Sequence, residues 1–65
     1  MKHTASKKLT ELQVGDIISL TGREQDADVI ASITTCGSNL IITLESEQSS
    51  AYPIANNRPF KIYED

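Results

Sequence analysis

Three acids stand at alternate positions in Glu24-Gln25-Asp26-Ala27-Asp28, as they do at the start of a calcium-binding loop. The later positions break that pattern: the sixth residue from Glu24 is Val29, where the loop needs glycine for its turn, and the twelfth is Thr35, where it needs a bidentate glutamate. Glu24, Asp26 and Asp28 therefore read as a solvated acidic loop; a weak cation site, or an acidic patch that meets a basic partner, is the functional alternative. His3 is the only histidine and Cys36 the only cysteine. A metal site wants several such ligands, and a general base must be held within hydrogen-bond reach of its proton. His3 lies near the chain start without chemical neighbours, so no catalytic set assembles around it. The three glycines, Gly15, Gly22 and Gly37, are scattered rather than gathered into a phosphate loop. These absences predict a non-enzymatic protein without cofactor or metal.

The bases divide unevenly. Lys2, Lys7 and Lys8 fall within the first eight residues, which hold no acid. Residues 9–65 hold three bases, Arg23, Arg58 and Lys61, against nine acids. A body of that balance repels phosphate, because nucleic-acid affinity rests largely on Lys and Arg neutralising phosphates. Any such contact would use Lys2, Lys7 and Lys8 together with Arg58, Lys61 and Tyr63, the body's one basic-aromatic group, through charge and stacking.

These groups must be carried by a small frame. Sixty-five residues make one domain, and a core of this size supplies only about 3–5 kcal/mol. One cysteine permits no internal disulfide and suits a reducing compartment. No apolar stretch follows the basic start as a signal segment would, and the longest apolar run, Leu40-Ile41-Ile42, is far from a membrane span. The expectation is a soluble, cytoplasmic protein that makes no membrane contact and has no evident small-molecule substrate.

Residues 1–8 are polar and aperiodic and read as a flexible basic tail. Residues 9–65 read as the folded domain. Leu9–Val14 would form one turn of helix. Strands are expected at Asp16–Thr21, Asp28–Cys36, Leu40–Glu45, Ala51–Ile54 and Phe60–Tyr63, each from its period-two alternation. Gly37-Ser38-Asn39 is the hairpin turn between the second and third. Pro53 cannot donate to a ladder, so the fourth strand is an edge or is broken there. A 3₁₀ turn is expected between Ala55 and Pro59. The inward set is Val14, Ile18, Leu20, Val29, Ala31, Ile33, Leu40, Ile42, Leu44, Tyr52, Ile54, Phe60 and Ile62. Closing five short strands into a barrel would remove exposed edges and gather these residues into one core.

The lead-in Leu9-Thr10-Glu11-Leu12-Gln13-Val14-Gly15-Asp16, the charged loop, the long hairpin, the short fourth strand and the one-turn link to a last strand resemble the layout of SH3-like barrels of the KOW and Tudor types, as found in bacterial and phage accessory domains. The resemblance covers residues 9–63 and implies a binding module. It does not carry the family's ligands across. Asp28 stands before the second strand where KOW segments place glycine. Tyr52, Phe60 and Tyr63 are the only aromatics, and there is no Trp for a polyproline groove. With Tyr52 and Phe60 in the core, a methyl-lysine cage lacks its walls.

Two functional readings follow. The alternation turns Ile17, Ile30 and Ile41 outward, one on each of the first three strands. They would form an apolar patch for a partner protein or a second copy, beside Glu24, Asp26 and Asp28; alternatively, Leu9 and Leu12 fold back over them. The second reading is a nucleic-acid accessory protein using the basic residues named above.

Overall fold

The computed structural model describes residues 2–64. It is all β, with six antiparallel strands and three 3₁₀ turns. The strands are β1 (Lys2–Lys8), β2 (Ile17–Ile18), β3 (Asp28–Cys36), β4 (Asn39–Leu44), β5 (Ser49–Pro53) and β6 (Pro59–Glu64). The 3₁₀ turns are Leu9–Glu11, Glu24–Asp26 and Ile54–Asn56. Strand order is β1-β6-β2-β3-β4-β5. The sheet is open, with β1 and β5 as its edges, so the expected five-stranded closed barrel is corrected to a six-stranded unclosed sheet.

The sixth strand comes from residues expected to be a tail. Lys2–Lys8 pair along β6, with Lys2 opposite Glu64, Ser6 opposite Lys61 and Lys8 opposite Pro59. Thr4 is an extra residue between the His3 and Ala5 pairings. Six of the seven β1 side chains are exposed and Lys7 is half-buried, so backbone hydrogen bonding to β6 holds the strand. Lys7 adds an ion pair, its Nζ 3.0 Å from Asp16 Oδ2.

The central hairpin forms as the alternation and the glycine require. Cys36 pairs with Asn39 and leaves Gly37-Ser38 as a two-residue loop. Gly37 has φ of 59°, the positive value that a tight hairpin demands at its first loop position. Ile33 lies opposite Ile42, with Ile42 fully buried and Ile33 packed against the same core. Nearer the start of β3 the register slips: Ile30 pairs with Leu44 but Ser32 pairs with Thr43. Ala31 is therefore a bulge, and one extra residue reverses which side chains face inward. Val29 and Ala31, expected inward, are half-buried and exposed, while Ile30 enters the core at 0% exposure.

The core holds Leu9, Leu12, Ile18, Ile30, Ile42, Leu44, Tyr52, Phe60 and Ile62, with Leu20, Ile33 and Leu40 packed at its margin. Besides Val29 and Ala31, two expected residues stay out of it: Ile54 is half-buried, and Val14 is on the surface. It is 63% exposed, because the chain turns at Val14-Gly15 and Gly15 takes φ of 101°. β5 is an edge strand and ends on Pro53, as proline's missing donor predicts. The 3₁₀ turn at Ile54–Asn56 closes on Asn57, which is left-handed at φ 41°. Asn57 also accepts from the Thr10 N–H at 3.0 Å and from its hydroxyl at 3.1 Å, tying the lead-in to the last connection.

Candidate binding face

The register of β1 on β6 sets the chemistry of one outer face. Ser6 lies opposite Lys61 and Lys8 opposite Pro59. Directly opposed residues share a face, so Lys8 and Lys61 are diagonal neighbours, separated by about 7–8 Å. Arg58 immediately precedes Pro59. Its guanidinium lies over two aromatic rings, 5.2 Å from the Tyr52 centroid and 5.0 Å from that of Phe60. Such a position orients the cation while leaving its N–H edges free to reach a ligand.

Beside this group lies a groove of about 300 Å³. One wall is Ser19-Leu20-Thr21-Gly22, and the other is Arg58-Pro59-Phe60-Lys61 with Tyr63. The first wall is held by its own hydroxyls. Ser19 Oγ accepts from the Gly22 N–H at 3.1 Å, and Thr21 Oγ1 accepts from the Arg23 N–H at 3.2 Å. The second wall carries two cations, Arg58 and Lys61. Among the described residues neither Arg58, Lys61 nor Lys8 has an ion-pair partner; the bridges are Lys7–Asp16 and Arg23–Asp26. On a chain of net charge −3, this is a local cationic surface across the groove from Ser19–Gly22.

No family model matches the sequence, and no curated protein and no solved structure matches it.

The six basic or aromatic residues singled out for nucleic acid are thus partly assembled. Lys8, Arg58, Lys61 and Tyr63 fall on or beside the groove. Lys7 is committed to Asp16, and Lys2 sits at the far end of β1, opposite Glu64. Tyr63 is not the free outward ring that alternation suggests: it is 5% exposed. A cross-strand row explains this. His3, Tyr63, Ile17 and Val29 lie opposite one another across β1, β6, β2 and β3, and the His3 ring centre is 6.2 Å from that of Tyr63. Sequence reasoning missed the row because it left residues 2–8 without a strand to supply His3.

The isoleucine patch does not form. Ile17 is half-buried in the row just described. Ile30 is turned inward by the bulge and joins Leu9 and Leu12 in the core. Ile41 is half-buried, between Thr34 and Ala51 on the neighbouring strands.

The acidic loop is largely satisfied by its own chain. Asp26 accepts from the Thr21 hydroxyl at 2.6 Å and from Arg23 Nε at 3.0 Å. The Thr21 bond, with the Arg23 charge adding to it, holds the Asp26 carboxyl below the usual aspartate range. Asp28 accepts the Val29 and Ser46 N–H groups, both at 2.8 Å, and the Val29 bond leads in lowering its titration too. Glu24 remains exposed. The two aspartates thus serve turns: Asp26 organises the loop, and Asp28 ties the start of β3 to the turn after β4.

Proposed function

We propose that the chain is a non-enzymatic binding module of SH3-like layout that takes a short acidic segment of a partner protein along the groove between Ser19–Gly22 and Arg58–Tyr63. The order β6-β2-β3-β4-β5, with a 3₁₀ turn before the last strand, supports the layout. The observation that carries the ligand chemistry is Arg58 and Lys61 on one wall of the groove, with Lys8 diagonal to Lys61 on β1, none with an ion-pair partner among the described residues, on an otherwise acidic chain. Arg58 is oriented by the two rings beneath it, so less freedom is lost when it meets a carboxylate. Ser19 and Thr21 spend their hydroxyls on their own turn, so that wall gives the groove a fixed shape.

Nucleic acid is the second reading, favoured by the same three cations. Tyr52, Phe60 and Tyr63 are all buried, so the face offers no aromatic platform for bases. Three phosphate contacts alone give weak, strongly salt-dependent binding.

The test is an NMR titration of the labelled protein with a Glu/Ser peptide, a Lys/Ser peptide and a thymidine oligonucleotide. The proposal expects shifts at Ser19–Gly22, Arg58 and Lys61 with the acidic peptide, reduced in Lys61→Ala, whose exposed side chain leaves the core untouched. Stronger binding of the oligonucleotide selects the second reading. Equal response to all three ligands rejects both.

A further inference from the structure

β1 is an edge strand with one side paired to β6 and the other side open. An open edge is a row of backbone donors and acceptors on which another strand can be laid. The opposite edge is less suited to this. β5 spans five residues and ends on Pro53, which has no N–H to offer.

Charge decides what β1 would accept. The strand carries Lys2, Lys7 and Lys8 and no acid. Antiparallel addition of a second copy's β1, centred on Ala5, would set Lys2 against Lys8 at both ends of the pair. Like charges directly opposite one another destabilise a strand pair, and opposite charges stabilise it. The edge is therefore guarded against its own copy and complementary to an acidic strand. One end already holds a carboxylate. The Leu9 N–H points to the β6 side, bonding Arg58 O at 2.9 Å; the preceding N–H, that of Lys8, donates to Glu11 Oε1 at 2.8 Å. Glu11 thus closes the last position and leaves Lys2–Lys7 for a partner.

We infer that β1 is a strand-addition edge for an extended acidic segment of a partner protein, an inference that rests on the acidic-partner reading above and gives that partner a second contact, on the far side of β1 from the groove. The added strand extends the sheet beyond β1. Its side chains on that face lie beside His3, Ser6 and Lys8, with Lys61 one strand further in, opposite Ser6.

The experiment uses the full chain and two peptides of the length of β1. The first alternates Glu with Thr. The second has the same charges, with alternate threonines replaced by proline, so that it cannot complete a ladder. Binding is read by NMR titration together with amide exchange at Ser6, whose N–H is on the same open side as that of Lys8. Strand addition predicts that the first peptide binds about tenfold more tightly, a difference equivalent to about 1.4 kcal/mol, and slows exchange of β1 amides. Equal binding of both peptides, with unchanged β1 exchange, overturns strand addition while the acidic-partner reading stands. Failure of both peptides to bind overturns the two together.

Discussion

The Tyr52 and Phe60 rings meet edge to face, with centroids 5.1 Å apart and planes at 84°. Tyr52 is on β5 and Phe60 on β6, and three strands, β2, β3 and β4, lie between them in the sheet. They can touch only because the sheet curls until β5 and β6 approach across the core. Arg58 then covers both rings from the solvent side. One curl therefore both closes the core and orients the cation on which the binding face depends.

The ring contact should be measurable as a coupling. In a double-mutant cycle of Tyr52→Leu and Phe60→Leu, followed by urea denaturation, the two changes should be non-additive by about 0.5–1.5 kcal/mol, the usual worth of an aromatic pair beyond its burial. Additive losses would mean that β5 and β6 do not meet across the core.

Arg58→Met keeps the apolar stem and removes the charge. It should lower stability by about 0.5–1 kcal/mol through the lost cation–π contact at an exposed site, seen as a shift of the urea midpoint at constant slope. The same variant should weaken acidic-peptide binding more than it weakens the fold.

Asp26 and Asp28 both titrate below the ordinary aspartate value of 3.8 in the folded chain. A carboxylate lowered by folding adds stability that is fully present above its unfolded value and is lost as pH falls through the folded one. Thermal melts should therefore show stability declining from about pH 4 downward. Asp28→Asn should be less stable at neutral pH and should flatten that acid limb. An acid limb identical to that of the parent would contradict the role of the Val29 and Ser46 hydrogen bonds.

Gly37 meets no atom within 4 Å of where a Cβ would stand, so only its backbone conformation resists substitution. Gly37→Ala should cost about 1–2 kcal/mol, the penalty of a left-handed residue. Gly37→Asn should recover part of it, since asparagine tolerates that region. Chemical denaturation of the two variants checks the order.

The parts of this fold legible in the sequence are those where pattern and turn chemistry agree. Gly37 fixes the hairpin, Leu40, Ile42 and Leu44 alternate inward, and Pro53 marks the edge. The errors have local causes. Ala31 is a bulge, and a one-residue insertion is invisible to a period-two count; it exchanges Val29 for Ile30 and dissolves the isoleucine patch. Lys2–Lys8 show no alternation because neither face of β1 meets the core, and a strand held by its backbone leaves no hydrophobic signature. Tyr63 has the right face but the wrong exposure, since its cover comes from that same unseen strand. Of the binding face, Arg58 and Lys61 were legible as a basic pair, but the groove wall at Ser19–Gly22 was not, because short-range polar turns carry no periodic signal.

The most direct test of the arrangement is whether residues 2–8 lie on β6 in solution, since that pairing brings Lys8 beside Lys61 and covers Tyr63. Amide exchange with interstrand nuclear Overhauser contacts reads it residue by residue. The β1–β6 register predicts contacts pairing His3 with Tyr63 and Ser6 with Lys61, and protection at the β1 amides that face β6. Exchange at the unprotected rate throughout residues 2–8, with those contacts missing, would contradict it and dismantle the face built upon it.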